Sequence, residues 1–340
     1  MIPSISVVMS VLNGEEYLRE AIESILSQTM PDFEFIIVND GSTDRTKEIL
    51  EDFQSRDGRI LTIHQQNAGI VRAVKRACSL ATGTWIARMD ADDISLPHRF
   101  EKQLQFLKKN PSVVLLGGDI EMINSEGVGF DCQRYPALNH ELQQLLLQSN
   151  YFAQSAVIFS REAFQRVGSY RTLFPYCEDY DLWLRLAEIG EIANLQEIIV
   201  RYRVHSNNVS WRKCPQQVTS FYAARMAAEF RHREGIELYP TKDNFSLEWL
   251  MQNGMTLMEI ETAIALEYNS WALRFGKSQQ FDIAFNVLNI AIARAAEVKV
   301  VPNNIIAKLF RTRALTAVRS RNFVISVYSL LKMIVIRMTQ

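Results

Sequence analysis

The sequence predicts an α/β fold, with a mainly parallel sheet flanked by helices and followed by an all-helical C-terminal region. Short apolar runs rich in Val and Ile alternate four times with segments whose apolar residues recur at helical spacing. Strand-like runs then nearly vanish after Cys214-Pro215. We therefore expect an α/β catalytic domain over residues 1–214 and a helical region over residues 215–340.

Four successive strand–helix units open the chain, and their turn residues mark the boundaries. Asn13-Gly14 ends the first apolar run, Pro31 precedes the second and Gly83 precedes the fourth. Because helical crossovers join consecutive strands, the strands should run parallel. The predicted strands cover residues 5–12, 33–38, 60–64, 85–89, 113–118, 157–160 and 198–204. The predicted helices cover residues 15–27, 45–53, 70–80, 97–109, 161–167, 178–189, 218–232, 247–258, 259–275, 280–298 and, with breaks, 305–338.

Composition and charge exclude several classes of protein. The chain has 340 residues and a formal net charge of −1, which argues against a nucleic-acid binder. The four cysteines are far apart, without a C-x-x-C pair, which favours free thiols in a reducing compartment. The N-terminus lacks the pattern of a signal peptide. We therefore expect a cytoplasmic protein.

The end of the chain is basic and apolar. From Lys299 onward there are eight basic residues and no Asp or Glu. The segment 323–336 is strongly apolar but is interrupted by Lys332, and it is too short to span a bilayer. This pattern predicts peripheral contact with anionic lipid at the inner face of the membrane. A buried terminal helix or a dimer contact fits the same pattern equally well.

Polar clusters follow three of the predicted strands. In a parallel sheet, ligands bind at the carboxyl ends of the strands, so these clusters should line one crevice. Crowded carboxylates there repel one another unless a cation such as a divalent metal ion offsets their charge. A simpler interpretation is that Asp92 or Asp93 caps a helix starting near Pro97. The clusters are Asn13-Gly14-Glu15, Asn39-Asp40-Gly41-Ser42 and Asp90-Ala91-Asp92-Asp93.

Taken together, these motifs resemble the family 2 glycosyltransferases with a GT-A fold. They occur in the family's order and cover residues 4 to about 211, so the remaining third of the chain lies outside the resemblance. The matching segments are residues 6–14 (SVVMSVLNG), 24–29 (SILSQT), 38–44 (VNDGSTD), 89–93 (MDADD), 178–186 (EDYDLWLRL) and 202–208 (YRVHSNN).

The resemblance implies a role for each matching position. Asp40 would contact the nucleotide base, and Asp92 would bind Mn²⁺ or Mg²⁺ bridging the donor diphosphate. His205 would lie near the metal, and Asp179 would be the catalytic base. The nucleotide-binding candidates are Val11, Asn13, Glu15, Asp40, Arg72, Asp90 and Ala91.

Each of these assignments has a simpler alternative. Asp179 could merely place negative charge at a helix N-terminus, where acids are favoured without catalysis. His205 could lie in a surface loop, and Arg72 could cover an exposed helix face. Two positions depart from the family pattern. Lys75 replaces a frequent Asn, and Gln154 replaces a frequent His on the acceptor side.

The resemblance predicts an inverting, metal-dependent hexosyltransferase. It would move a sugar from a nucleotide diphosphate donor, most often a UDP-sugar, to a hydroxyl of a glycan or lipid-linked acceptor in bacterial cell-surface polysaccharide synthesis. A nucleotidyltransferase on a related fold is one alternative, but it would need a basic Gly-rich loop where residues 13–16 (NGEE) stand. A non-catalytic protein that binds partners through its helical third is another.

Overall fold

The computed structural model describes residues 2–240 and 245–338. The strands are β1 Ile5–Val11, β2 Phe33–Asn39, β3 Ile60–His64, β4 Trp85–Arg88, β5 Ile94–Ser95, β6 Val113–Ile123, β7 Gly129–Gln133, β8 Ile158–Ser160 and β9 Glu191–Arg203. The helices of the first part are α1 Leu18–Leu26, α2 Thr46–Arg56, α3 Ile70–Leu80, α4 Arg99–Lys109, α5 Asn139–Leu145, α6 Arg161–Arg166 and α7 Glu178–Ala187. The helices that follow are α8 Val209–Arg212, α9 Cys214–Glu234, α10 Leu247–Gln252, α11 Leu257–Lys277, α12 Phe281–Val298, α13 Asn303–Arg319 and α14 Phe323–Met338.

One sheet organises the first part of the chain, in the order β3-β2-β1-β4-β8-β6-β9-β5, with β7 paired to β6. The four strands β3, β2, β1 and β4 are mutually parallel, with Ile5 in register with both Phe33 and Trp85. Strand β8 then runs antiparallel to β4, and β6 runs parallel to β9. The α/β prediction is confirmed. The carboxyl ends of β2, β1 and β4 therefore lie side by side at one edge.

Alternation along the strands places apolar residues on both faces of the sheet. Val8 and Ile36 belong to one buried cluster, which includes residues of α3, whereas Val7 and Phe35 belong to another, which includes residues of α1. Strands buried on both faces read as continuous apolar runs, as these do. The helices that cover the two faces hold the strand ends, and hence the polar clusters, in fixed positions.

Two strands, β6 and β9, are longer than the sequence indicated, and β9 begins at Glu191 rather than at Ile198. Strand β6 continues through Gly117-Gly118-Asp119 to Ile123, although these three residues suggest a turn. The register with β9 shifts at this point, so the irregularity is a bulge rather than a chain reversal. Long-range pairing with β9 overrides the local turn preference. The hairpin strand β7 was not predicted either.

The helical region packs directly on the α/β part. Helix α9 contacts α7, and the larger buried cluster runs without interruption from Val8 in the sheet to Leu309 in α13. The predicted segment 305–338 is divided into α13 and α14 near Arg321, whose φ is +60°. Within the described ranges, no helix combines enough length with enough apolar character to cross a bilayer.

Candidate active site

Asp90 follows β4 and is held by a buried arginine. The Nη2 of Arg88 lies 2.7 Å from Asp90 Oδ1, and the side chain of Arg88 is fully buried. Ser155 Oγ donates to Asp90 Oδ2 over 3.0 Å. Burial raises the pKa of Asp90, and the charge of Arg88 opposes this rise. The carboxylate therefore has a fixed direction at the carboxyl end of the strand.

Asp92 and His205 form the second part of the site. His205 Nε2 lies 2.8 Å from Asp92 Oδ2, with side chains 9% and 31% exposed. The imidazole packs against Tyr17, with ring centroids 5.0 Å apart, and Arg203 Nε donates to the backbone oxygen of Asp92 over 2.8 Å. The surface-loop interpretation of His205 is therefore wrong.

The capping interpretation of Asp92 or Asp93 is also wrong. Helix α4 begins at Arg99 after His98, which makes no side-chain capping bond. Asp93 is fully buried, and its Oδ1 accepts from Arg203 N over 2.8 Å. Burial, together with the nearby charges of Asp92 and Asp90, raises the pKa of Asp93 well above its ordinary value. Asp93 thus fixes the strand β9 that leads to His205.

The donor set at this point fits a divalent cation only in part. Asp92 offers a carboxylate oxygen, which suits Mn²⁺ or Mg²⁺, and His205 offers an imidazole nitrogen, which suits Mn²⁺ better than the harder Mg²⁺. Asp93 Oδ2 is buried there without a hydrogen-bond partner from any residue that the structure describes. Within residues 2–240 and 245–338, however, no three His, Cys, Asp or Glu side chains cluster tightly enough to hold an ion alone. Further ligands would have to come from a phosphorylated substrate.

Asp40 follows β2 and organises a loop. Its Oδ1 accepts from Ala68 N over 2.9 Å and from Gln65 Nε2 over 2.6 Å, and its Oδ2 accepts from Gly69 N over 2.9 Å. A carboxylate has about four acceptor positions, so one is left for a ligand. Gly41 has φ +83°, and a Cβ there would lie 2.7 Å from Asn67 N, which explains the glycine.

The other nucleotide-binding candidates lie around the same edge. Asn13 Oδ1 accepts from Thr43 N over 2.8 Å, and Glu15 Oε2 accepts from Arg45 N over 3.0 Å, so both side chains tie the loop after β1 to the loop after β2. Of the remaining three candidates, Val11 accepts from Asp40 N through its backbone oxygen, Ala91 is half-buried and Arg72 is exposed on α3.

Asp179 and Glu178 begin α7 and have raised pKa values. Burial and the neighbouring charge of Asp179 raise the pKa of Glu178 to about 8, and Glu178 Oε2 has no hydrogen-bond partner in the part of the chain that the structure describes. Burial, together with the charge of Asp90, raises the pKa of Asp179 to about 6. Asn150 Nδ2 donates to Asp179 Oδ2 over 3.3 Å. Glu178 is buried and Asp179 is half-buried, whereas acids that only complement a helix N-terminus have no need of burial.

One cavity of about 600 Å³ brings these groups together. Asp90 and Asp179 both line it, although they come from different segments of the fold, and Gln154 lines it as well. Residues of α9 and α11 form another part of its wall. The two carboxylates therefore face a common space large enough for a substrate.

Several residues of the site were missed by sequence reasoning. Arg88, Ser155 and Arg203 position Asp90 and Asp92, and Asn150 contacts Asp179. Arg88 could have been found from the sequence, because it interrupts an otherwise apolar strand and a buried arginine requires partners. Ser155 and Asn150 could not have been found in this way, because their contacts depend on the packing of distant segments.

Comparison with known sequences identifies relatives. A family model described as glycosyl transferase family 2 matches residues 6–168. An uncharacterized glycosyltransferase of Haemophilus influenzae is 30% identical over 271 residues, which are 76% of this chain and 80% of the relative. The O-antigen biosynthesis glycosyltransferase WbnJ of Escherichia coli is 34% identical over 208 residues, which are 60% of this chain and 81% of the relative.

Comparison with solved structures supports the fold. The mannosyltransferase PcManGT from Pyrobaculum calidifontis, in complex with GDP-Man and Mn²⁺, aligns with a TM-score of 0.54 at 16% identity, over 99% of this chain and 87% of that one. S. aureus TarS 1–349 in complex with UDP-GlcNAc aligns with a TM-score of 0.52 at 17% identity, over 95% and 89% of the two chains. The likeness confirms the GT-A-type fold.

Proposed function

This chain belongs to glycosyl transferase family 2 and is a glycosyltransferase, and we propose that it is an inverting, metal-dependent enzyme that uses a UDP-sugar. The acceptor would be a hydroxyl of a glycan or a lipid-linked glycan. The observation that carries the proposal is that Asp90 and Asp179 line one cavity, while Asp92, two residues after Asp90, is in contact with His205.

Asp179 is the proposed catalytic base. With a pKa of about 6, its carboxyl group is mostly ionised at neutral pH, so it can take the proton of an acceptor hydroxyl. The carboxyl of Glu178, with a pKa of about 8, keeps its proton under the same conditions. Neighbouring carboxyl groups whose pKa values are pushed apart are typical of acid–base sites.

Asp92 and His205 are the proposed metal ligands. A divalent ion, when bound, would neutralise the charge that develops on the leaving diphosphate. Arg88 and Ser155 hold Asp90 in place, and Arg203 holds the backbone at Asp92, so this chain orients both carboxylates before substrate binds.

The pathway assignment rests on relatives. WbnJ is named for O-antigen biosynthesis, and AmsE of Erwinia amylovora, 33% identical over 215 residues, is named for amylovoran biosynthesis. These names support a role in cell-surface polysaccharide synthesis. The preference for UDP over other nucleotides follows from the family resemblance.

A donor screen tests the function. Release of the nucleoside diphosphate would be measured from UDP- and GDP-sugars with Mn²⁺, with Mg²⁺ and with EDTA. We expect release from a UDP-sugar, loss of release with EDTA, and a strong reduction in Asp92→Asn. The exposed control Asp282→Asn should behave as the wild type. Full activity in EDTA, or in Asp92→Asn, would reject the metal-dependent mechanism.

We also propose that the enzyme works at the inner face of the membrane through a basic and apolar surface. On α13, Lys308, Arg311, Leu315 and Val318 recur every three or four residues and are exposed, Leu315 by 50% and Val318 by 54%. On α14, Leu331 is 57% exposed. Cations beside apolar side chains suit an anionic lipid surface.

Flotation with vesicles tests this surface. The full-length double variant Lys308→Gln/Arg311→Gln should bind vesicles containing phosphatidylglycerol about thirtyfold more weakly, since each basic residue contributes ~1 kcal/mol near an anionic membrane. The matched double variant Lys108→Gln/Lys109→Gln removes two exposed charges from α4 and should bind as the wild type does. Equal binding of the vesicles by the two double variants would reject the proposal that this surface contacts the membrane.

A further inference from the structure

Part of the wall of the cavity that Asp179 lines is formed by helical-region residues that neither the metal site nor the base requires. Helix α9 contributes Tyr222, and α11 contributes Glu267, Trp271 and Arg274. A base must lie beside the hydroxyl it deprotonates, so the acceptor has to lie in the same cavity as Asp179. The side chains of α11 are therefore in a position to contact the body of the acceptor.

Trp271 carries an unused hydrogen-bond donor in this wall. Its side chain is buried, with 1% of its surface exposed, and its Nε1 has no hydrogen-bond partner among the described residues. Buried polar groups are nearly always paired, and leaving one unpaired costs about 1–3 kcal/mol. The indole N–H can only donate, so its missing partner must be an acceptor.

Arg274 is a second donor without an acceptor. Its guanidinium carbon lies 4.7 Å from the centre of the Trp271 ring, and it forms no ion pair with a described residue. Other partly buried arginines do pair with carboxylates, including Arg201 with Glu121 and Arg294 with Glu261. Glu267 is seven residues earlier in α11, about 10 Å along the helix axis, so it is not a direct neighbour.

We propose that Trp271 and Arg274 form a subsite for an anionic group on the acceptor, a carboxylate or a phosphate. Two donor-only side chains, one of them cationic, match a ligand group that has only acceptor oxygens and a negative charge. The aromatic face of Trp271 holds the guanidinium in place before the ligand arrives. The proposal rests on the glycosyltransferase function above and specifies the chemistry of its acceptor.

The test measures binding of simple sugars to the full-length protein. With UDP and Mg²⁺ at saturation, so that the donor site is filled, three probes would be titrated by saturation-transfer NMR: methyl β-D-glucuronide, glucose 1-phosphate and methyl β-D-glucoside. We expect one of the anionic sugars to bind at least about tenfold more tightly than the neutral glucoside. The comparison of the two anionic sugars distinguishes carboxylate from phosphate.

Variants assign the effect to the subsite. Arg274→Gln should reduce binding of the preferred anionic sugar to the level of the glucoside, and Trp271→Phe, which removes the N–H but keeps a ring, should reduce it less. Arg166→Gln, which removes an exposed arginine of α6, is the matched control and should bind as the wild type does. Melting temperatures verify that each variant is folded.

Three results would overturn the subsite: equal affinity for all three sugars, no binding of any of them, or an Arg274→Gln variant that loses affinity for UDP. The last result would show that Arg274 contributes to binding of the nucleotide-sugar donor. Failure of the wild type to bind UDP at all would instead reject the proposed function, so the two failures are distinguishable.

Discussion

The α/β part and the helical region bury different kinds of side chain. Around the site, Arg88, Asp93 and Arg99 are all completely buried. In the helical region, the described buried groups are mainly apolar, and Glu261, which pairs with Arg294, is a buried carboxylate. The α/β part therefore holds buried charges in fixed positions, whereas the helical region contributes mainly apolar packing and part of the cavity wall.

The buried arginines Arg88 and Arg99 of the α/β part are tolerated because each has partners. Arg99 Nη2 donates to the backbone oxygens of Arg88 and Val157 over 2.9 and 3.0 Å. Burial and the charge of Arg88 lower the pKa of Arg99 to about 9. Such a network is costly to assemble, but it fixes the end of β4 beside the start of β8. Rigid placement of carboxylates is what electrostatic catalysis requires.

The largest expected effect is on the rate of sugar transfer, and it should leave nucleotide binding unchanged. Asp179→Asn should lower the transfer rate by a factor of about 10²–10⁴, because it removes the general base, while UDP still binds. The neighbouring variant Glu178→Gln should lose much less, because a carboxyl with a pKa of about 8 is already neutral at pH 7 and Gln resembles it. Steady-state rates and UDP titrations check both expectations, and a fully active Asp179→Asn would exclude this base.

The next effect is on the stability of the sheet. A Cβ at Gly83 would lie 2.7 Å from Ser6 N, so Gly83→Ala should lower the free energy of unfolding by about 1–3 kcal/mol. At Gly58 no atom lies within 4 Å of the added Cβ, so Gly58→Ala is the matched control. Urea denaturation measures both. Equal stability of the two variants would contradict the close approach of the loop before β4 to β1.

A smaller effect is expected in the helical region. Glu261→Gln should lower the free energy of unfolding by about 1–2 kcal/mol, because it removes a charged partner of Arg294 that lies 2.6 Å away. Glu297→Gln, on the exposed face of α12, should change little. Since the buried cluster is continuous from the sheet to α13, we expect one transition for both regions. Two separate transitions would show that the regions unfold independently.

The smallest effect concerns pH. The hydrogen bond from Asn150 favours the ionised form of Asp179, so Asn150→Ala should raise the pKa of that carboxyl further. Because the base must be ionised, the turnover rate of the wild type should fall as the pH drops below about 6, and this acidic limb should move to higher pH in the variant. In Gln148→Ala, which alters the cavity wall without touching Asp179, the limb should stay in place.

Most elements could be predicted from the sequence, because they depend on local signals. The helix at Ile70–Leu80 and the strand at Ile60–His64 have the predicted bounds, since their apolar periods and turn residues are clear. The extension of β6 beyond Gly118 and the pairing of β7 could not be predicted. They depend on hydrogen bonds to strands distant in the sequence, which outweigh local preference.

The sequence by itself determined the α/β fold and, through the resemblance of its motifs, the family and the acidic residues that define the candidate site. Only the tertiary structure decided that His205 contacts Asp92, that Arg88 pairs with Asp90 and that α11 lines the cavity of Asp179. The physical reason is the separation in sequence between the residues that determine each feature. Periodicity, turns and motifs are properties of neighbouring residues, whereas contacts between residues a hundred positions apart depend on how the strands and helices pack.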